Sequence, residues 1–339
     1  MDIQEILTLK KDLRFKNGKF RILMMSDLHG GIGMSAQLPV AIRAMVEHCK
    51  PDLVLIGGDT SGCGPVHVET QEQLKEVLEI LTAPMEENNI PWAHVFGNHD
   101  DNFGLSNEEQ EPVYESFPCC VSKWGPKDVY GVANYVLPVK ASDGDEVIFN
   151  VFGLDSHNNI KTLGNYHSWE KEPEVVLDQH FCYGRGYDTV RFEQIMWYWN
   201  TSKAMQEHFG KKIPAFMFCH IPLSEHTLVV QNMSACDYNG CMREDVGCGE
   251  LNSGLFAACV ERGDVKAICC GHDHVNNFVG EYCGIQLCCD GGLDYDCYQD
   301  DDLRSVRIFD INESDPSKIE TYPVFLREVM GRAGDKVQK

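Results

Sequence analysis

Side chains that can bind metal ions follow five separate apolar segments of this 339-residue sequence. They are Asp27 and His29, then Asp59, then Asn98 and His99, then His220, and finally His272 and His274. Carboxylates supply anionic oxygen and imidazoles supply borderline nitrogen, a mixture that suits Mn, Fe, Zn or Co better than calcium. A single histidine after a strand is more often structural than metal-binding, so the prediction depends on the whole series.

The apolar segments before these residues have the lengths of buried strands. They span residues 20–25, 53–56, 92–96, 215–219 and 265–270, and a run at 285–289 is predicted to be the last strand. Apolar residues recur at helical spacing over 38–49, and a second helical stretch covers 69–81. Strands that alternate with helices indicate a layered α/β sheet, whose ligands gather beyond the carboxyl ends of the strands. The five polar clusters are therefore expected to meet.

The middle of the chain departs from this alternation. Two strand-like runs at 130–139 and 146–152 predict a hairpin with Gly144 at its turn, and hence a mixed sheet. Residues 156–187 lack periodicity and are predicted to be an insertion that faces the substrate. Position alone makes four of its residues candidates for substrate contact: Tyr166, Trp169, Tyr183 and Arg185.

The segment after this insertion has helical spacing. The residues predicted to form the buried face of this helix, which runs towards Phe209, are Phe192, Ile195, Met196 and Trp199. No internal repeat and no linker divides the sequence, so a single domain over residues 1–339 is expected.

The five polar clusters together resemble the motif series of the calcineurin-like metallophosphoesterases. The matching blocks are Asp27-Leu28-His29, Gly58-Asp59, Gly97-Asn98-His99-Asp100, His220 and Gly271-His272-Asp273-His274. The segments His220-Ile-Pro and Asn252-Ser-Gly-Leu-Phe look like the branch related to purple acid phosphatases that lacks their secretory architecture. The resemblance covers about residues 20–310. It implies an α/β fold in which a β-sandwich of two mixed sheets is flanked by helices, in four layers α/β/β/α.

The resemblance also implies the roles of these residues. Asp27, His29 and His274 would bind one metal, Asn98, His220 and His272 would bind the other, and Asp59 would bridge them. Two such metals lower the pKa of a shared water, and the resulting hydroxide attacks phosphorus. His99 would stabilise or protonate the leaving oxygen, with Asp100 or another carboxylate holding its ring. Asp100 could instead cap a turn, which is the role expected of Asp273.

Two departures from the purple acid phosphatase pattern bear on this expectation. Gly62 occupies the position where those enzymes carry a metal-binding tyrosinate, so a purple ferric centre is not expected. The segment from Asp290 to Tyr295 is poorer in glycine and aromatic residues than similar sequences, so substrate preference is expected to differ.

The composition limits the partners. A net charge of -23 disfavours binding to nucleic acid and to anionic membranes, although a bound pair of cations would reverse the sign locally and hold a phosphate. The expected partner is a phosphorylated substrate, either a small molecule or a phosphoprotein, with no obligatory protein partner. Two other functions stay open: a metal-free or weakly active scaffold for protein assembly, and a cyclic-nucleotide or other phosphodiesterase.

Most of the sixteen cysteines are predicted to be free thiols, because the chain is neither small nor evidently secreted. The loop with Cys236, Cys241 and Cys248 leaves a structural zinc site open, although it lacks a CxxC pair and an obvious fourth ligand. The N-terminal residues lack the features of a secretory signal, and no apolar run approaches the roughly 18 residues of a membrane span. A cytoplasmic location is expected.

Overall fold

The computed structural model describes residues 3–62, 67–102, 104–158, 186–249 and 251–337. Its strands are β1 (Lys19–Met25), β2 (Leu53–Ile56), β3 (Trp92–His94), β4 (Tyr135–Lys140), β5 (Val147–Gly153), β6 (Ala215–Cys219), β7 (Asn239–Cys241), β8 (Val265–Cys270), β9 (Asn277–Tyr282), β10 (Ile285–Asp290), β11 (Ser305–Asn312) and β12 (Asp315–Phe325). Its α-helices are α1 (Ile3–Leu7), α2 (Gln37–Cys49), α3 (Gln71–Leu81), α4 (Ala83–Glu87), α5 (Asn107–Glu115), α6 (Phe192–Phe209), α7 (Ser224–Gln231), α8 (Leu255–Arg262) and α9 (Leu326–Met330). Within these ranges, each helix falls short of the length and apolar character that crossing a bilayer requires.

The strands form two mixed sheets. One has five strands in the order β12-β11-β1-β2-β3, and the other has seven in the order β4-β5-β6-β8-β10-β9-β7. β1, β2 and β3 run parallel, as do β5, β6, β8 and β10, while the remaining pairs, β1-β11, β11-β12, β4-β5, β9-β10 and β7-β9, are antiparallel. The predicted α/β fold of two mixed sheets flanked by helices is confirmed.

The two sheets share one apolar core. Ile22 and Phe309 of the first sheet belong to the same buried cluster as Phe216 and Ala267 of the second. The rings of Phe216 and Phe309 lie 4.5 Å apart between their centroids. A second buried cluster joins the seven-stranded sheet to helices α6, α7 and α8. Burial of this much apolar surface fixes the sheets rigidly enough to position the loops at their edges.

The sheet topology places the predicted metal-binding residues at one edge. β1, β2 and β3 are parallel neighbours in one sheet, and β6 and β8 are parallel neighbours in the other. All five strands therefore present their carboxyl ends in the same direction within their sheet. The five polar clusters begin between one and four residues after these strand ends.

The sequence-based interpretation of helix α6 was right about Ile195, which is buried, and wrong about two other residues of the predicted buried face. Phe192 is 70% exposed and Met196 is 41% exposed, whereas Trp197 and Tyr198 are buried. The rotation of the helix is set by buried polar contacts that apolar periodicity does not reveal. The Gln194 amide donates to Asn134 Oδ1 and to the carbonyl of Asp155, both at 2.7 Å. Such buried hydrogen bonds cannot be given up without leaving unpaired polar groups.

Several strand bounds also differ from the prediction. The strand predicted at 285–289 is not the last, since β11 and β12 follow it. The strand predicted at 130–139 begins only at Tyr135, and that predicted at 92–96 ends at His94. The predicted hairpin of β4 and β5 is present, with Gly144 at a φ of 84° in its turn. Most of the predicted insertion, including its four candidate substrate contacts, lies outside the described residues.

Candidate metal centre

Six of the predicted metal ligands form overlapping clusters of potential donor atoms. In each of three groups, the ligand atoms all lie within 4.8 Å of one another. The groups are Asp27 with His29 and Asp59, Asp59 with His220 and His272, and His29 with His274 and Cys297. Because Asp59 belongs to two of the groups, its carboxylate lies between two halves of one centre.

The first half of the centre contains Asp27, His29 and His274. His29 Nε2 lies 3.1 Å from His274 Nε2, and His274 Nε2 lies 3.5 Å from Asp27 Oδ1. Asp59 Oδ2 approaches His29 Nε2 at 3.7 Å. Donor atoms that bind one transition metal at about 2.0 to 2.2 Å must lie this close together.

The second half contains Asn98, His220 and His272. His220 Nε2 lies 3.1 Å from Asn98 Oδ1 and 3.3 Å from His272 Nδ1. Asp59 Oδ2 is 3.3 Å from the same His220 nitrogen, so a single carboxylate oxygen faces both halves. The structure thus places the amide oxygen of Asn98 beside His220, one of the two imidazoles with which it was predicted to bind a metal.

Hydrogen bonds from outside the centre hold its ligands in place. The Asp27 Oδ2 atom accepts from Ser26 Oγ and from the amide of His272, and Asp59 Oδ1 accepts from the amide of His99 at 2.8 Å. The carbonyl of Gly57 accepts from His220 Nδ1 at 2.8 Å. Because Nδ1 donates to this carbonyl, Nε2 is the nitrogen directed into the centre, where a metal ion could take the place of its proton.

The histidines of the centre divide into two pairs, because burial lowers the pKa of His29 to about 3 and also lowers that of His272, whereas the pKa values of His220 and His274 are raised. Burial by itself lowers the pKa of His220, but the Asp59 and Asp27 carboxylates outweigh it and raise that pKa to about 10. Burial likewise opposes the shift at His274, whose pKa is raised to about 10 by the Asp27 and Asp294 carboxylates. A buried cluster of carboxylates stabilises any cation that it can contact, including a metal ion.

The residues present fit a pair of metal ions. His29 Nδ1 and Asp27 Oδ1 are buried and form no hydrogen bond within the described ranges. The imidazole nitrogens of His29 and His274 face each other, as do those of His220 and His272. Buried polar atoms are rarely left unpaired in proteins, and facing imidazole nitrogens need a proton or a cation between them.

Backbone strain is concentrated at the same corners. Asp27, His29, Asp59 and His272 all have positive φ values, between 46° and 73°. Such conformations are unfavourable for residues other than glycine, and they cluster at functional sites. Gly97 is required for a different reason, because a Cβ atom there would lie 2.2 Å from Asp59 Oδ1.

A comparison with known proteins identifies the family. Residues 20–276 match the calcineurin-like phosphoesterase family. The chain belongs to the calcineurin-like phosphoesterases. It is 31% identical over 324 residues to the probable inactive purple acid phosphatase 14 of Arabidopsis thaliana, covering 85% of this chain and 74% of that protein. It is 27% identical over 331 residues to phosphatase DCR2 of Saccharomyces cerevisiae, covering 87% of this chain and 52% of that protein. The chain therefore lies in the purple acid phosphatase-like branch of the family, as its motifs predicted.

Solved structures support the same fold. A dimetal phosphatase from Danio rerio matches with a TM-score of 0.54 and 12% identity, covering 91% of this chain and 99% of that one. GAP50, an anchor in the inner membrane complex of Plasmodium, matches with a TM-score of 0.51 and 12% identity, covering 92% of this chain and 86% of that one. At this identity the likeness concerns the fold alone.

His99, which the family resemblance predicted to act on the leaving oxygen, lies at the rim of the centre. Its half-buried ring is 5.5 Å from the ring of His29. The two oxygens of Asp100, which was predicted to hold this ring or to cap a turn, accept from the backbone amides of Ser61 and Gly97. The side chain of Asn102 lies beside His99 Nδ1, with its amide nitrogen 2.8 Å away. Burial and the nearby Asp59 carboxylate raise the pKa of Asp100 to about 7.

The loop after β10 contributes residues that sequence reasoning missed in this phosphoesterase. Asp294 Oδ2 lies 2.9 Å from His274 Nδ1, and the Tyr298 ring stacks on His274 at 4.1 Å. Cys297 completes the donor group of His29 and His274. The pairing of β10 with β8 is what locates these residues. Because the two strands are parallel, the carboxyl end of β10 reaches the same edge of the sheet as His272 and His274.

The remaining predicted residues have structural surroundings. Asp273 accepts hydrogen bonds from the Gly247 amide and the Asn276 side chain, and burial raises its pKa to about 7. Fourteen cysteines lie in the described residues, and all are free of disulfides. The three cysteines of the proposed zinc loop are not among the donor clusters found in that part of the chain, and Cys236 packs in the apolar core.

Proposed function

We propose that this phosphoesterase hydrolyses a phosphate ester with two transition-metal ions, drawn from Mn, Fe, Zn and Co. The convergence of two donor clusters on the shared carboxylate of Asp59 carries the proposal. When bound, the metal pair would supply Lewis acidity and an activated water. Asp27, His29 and His274 would hold one ion, while Asn98, His220 and His272 would hold the other.

We further propose that His99 delivers a proton, or a hydrogen bond, to the leaving oxygen. The Asn102 amide nitrogen can only donate, so His99 Nδ1 is the acceptor and Nε2 carries the proton. Asn158 supports this orientation of the amide, because its nitrogen donates to Asn102 Oδ1 at 3.3 Å. Charge that develops on a leaving alkoxide is stabilised by such a donor.

The net charge of the chain narrows the class of possible substrates more than the geometry of the metal centre does. A chain with a net charge of -23 repels nucleic acid, so we propose a phosphorylated small molecule or a phosphoprotein as the substrate. Buried thiols within apolar strands, such as Cys269 and Cys288, suit a reducing compartment, which supports a cytoplasmic location.

A scaffold function is the second candidate, because a relative at 31% identity is named a probable inactive phosphatase. A scaffold has no need to keep a complete ligand set. Here all seven predicted ligands meet within one centre and His99 stands beside it, which favours hydrolysis.

Metal analysis followed by a phosphate-release assay tests the proposal. Purified protein is stripped of metal, reloaded with Mn, Fe, Zn or Co, and assayed on monoesters, diesters, nucleotides, inositol phosphates and phosphopeptides. About two ions per chain and release of phosphate are expected. The His99→Ala variant should keep both ions and lose about 100-fold in rate, since a positioned acid contributes at least that much. Protein that takes up metal but hydrolyses none of these esters would support the scaffold instead.

A further inference from the structure

Cys297 lies beside the first half of the centre, on a loop that is fixed to His274. The Cys297 amide donates to Asp294 Oδ1 at 2.9 Å, and the other oxygen of Asp294 contacts His274 Nδ1. The carbonyl of Tyr298 also lies 2.8 Å from that nitrogen. The loop and the His274 ring therefore form one rigid unit, and the thiol has a defined position relative to the metal-binding nitrogens.

The thiol is placed where a ligand can reach the centre. Its Sγ atom and the ring nitrogens of His29 and His274 lie within 4.8 Å of one another. Because Zn–S and Zn–N bonds are about 2.3 and 2.0 Å, a thiolate and an imidazole on one ion lie within about 4.3 Å, a small side-chain rotation away. The same half contains Asp27 Oδ1, a buried oxygen that no described residue hydrogen-bonds.

We propose that Cys297 is an additional, thiolate ligand of the metal held by Asp27, His29 and His274, an inference that rests on the proposed metal centre. If the metal is bound, the thiol would release its proton to solvent and its sulfur would serve as a thiolate ligand. A thiolate is softer than a carboxylate or an imidazole, so it favours zinc and cobalt over manganese. Cys297 thereby biases which metal this half of the centre selects.

The position of Cys297 gives it a second property that the other ligands lack. It is only half-buried, whereas Asp27 and His29 are fully buried. A solvent-accessible thiol can be alkylated, and a thiolate bonded to a metal is protected from the reagent. Metal binding and thiol accessibility can therefore be measured on the same side chain.

The test compares Cys297→Ser with the matched control Cys283→Ser, whose cysteine is exposed in the turn between β9 and β10. Metal-free protein is titrated with Co²⁺ alone and followed by near-ultraviolet absorption. The wild type and the control should develop a thiolate-to-cobalt charge-transfer band that Cys297→Ser lacks. In separate titrations, Cys297→Ser should lose at least about tenfold in Zn²⁺ affinity and less in Mn²⁺ affinity. Saturating Zn²⁺ should protect one thiol from alkylation in the wild type and none in the variant.

The outcomes separate this inference from the proposed function. If the wild type binds two ions and Cys297→Ser matches it in absorption, Zn²⁺ affinity and thiol protection, the ligand assignment is overturned while the dinuclear centre stands. If the wild type takes up no metal pair, the proposed function fails, and the ligand assignment with it. Cobalt binding with a full charge-transfer band in the variant would assign the band to another cysteine and would also overturn the inference.

Discussion

His220 and His226 are both fully buried and only six residues apart, yet their surroundings act on them in opposite directions. His226 lies in α7 against the apolar layer of the seven-stranded sheet, and burial lowers its pKa to about 4. His220 lies in the metal centre, where carboxylates outweigh the same burial and raise its pKa to about 10. The contrast shows that the carboxylates beside His220, and not burial, set the direction of its pKa shift. Bound cations would let this acidic chain hold a phosphate there.

The largest change should come from breaking the anionic centre at its shared residue. Asp59→Asn removes the charge that faces both halves while preserving the size of the side chain. We expect loss of at least one ion per chain and a fall in turnover of about 10³-fold, equivalent to several kcal/mol of transition-state stabilisation. Metal content and phosphate release measure this, with Asp143→Asn in the exposed hairpin turn as control. Full metal content with unchanged turnover would contradict the bridging role.

The lowered pKa of His226, the buried histidine outside the centre, predicts that the stability of the folded protein depends on pH. Because the pKa of His226 is lowered from 6.5 to about 4 in the folded protein, the unfolded chain binds the proton more readily between these values. The contribution of neutral His226 is fully present above about pH 6.5 and is lost as pH falls towards 4, by up to about 3 kcal/mol. The free energy of unfolding of metal-free protein, measured with denaturant, should therefore fall less for His226→Gln than for the wild type as pH decreases from about 6.5 towards 4. His208→Gln, at the exposed end of α6, is the control. If the free energy of unfolding of His226→Gln changed with pH in the same way as that of the wild type, the lowered pKa of His226 would not be the cause.

A smaller effect should follow from weakening one half of the centre only. Asp294 contacts the outer nitrogen of His274, whereas the corresponding contact of His220 is a backbone carbonyl that substitution cannot remove. Asp294→Asn should lower the metal affinity of the first half by about 10- to 100-fold and leave the second half intact. Metal titration would then show one strong and one weakened site. Equal weakening at both sites would mean that the halves do not act separately.

The smallest effect on turnover is expected from a substitution at the rim of the centre, beside His99. Asn102→Ala removes the amide that selects the tautomer of His99 without touching a metal ligand. Turnover should fall about tenfold, less than for removal of a general acid itself, while metal content stays constant. The pH dependence of turnover should also shift, because the imidazole no longer has a fixed donor at Nδ1. Activity and a pH profile identical to the wild type would remove Asn102 from the mechanism.

The sequence predicted the strands with dense apolar runs better than those without. β6 and β8 were predicted with the bounds that the structure shows, since Ala215–Cys219 and Val265–Cys270 are nearly all apolar. β11 was missed because it contains Arg307, a charged residue that is nevertheless buried and donates to the carbonyl of Cys289. β12 was missed because it is an edge strand in which several side chains are exposed. Pattern recognition by hydrophobicity fails for both cases.

The candidate site was predicted to the extent that its residues follow strands whose ends could be recognised. All five polar clusters, from Asp27 to His274, follow such strands. The division of their residues into two metal sites came from the family resemblance. Asp294 and Cys297 follow β10 by four and seven residues, and only the pairing of β10 with β8 shows that they reach the centre. The contact between Asn102 and His99 was not predicted, because such a hydrogen bond has no signature in sequence.

The bond from the His99 amide to Asp59 Oδ1 gives the shared carboxylate two duties. Its Oδ2 atom faces both halves of the centre, and its Oδ1 atom anchors the peptide of His99, the proposed proton donor. Metal occupancy and the position of His99 are therefore expected to depend on each other. A protein with one empty half would hold the His99 peptide less firmly.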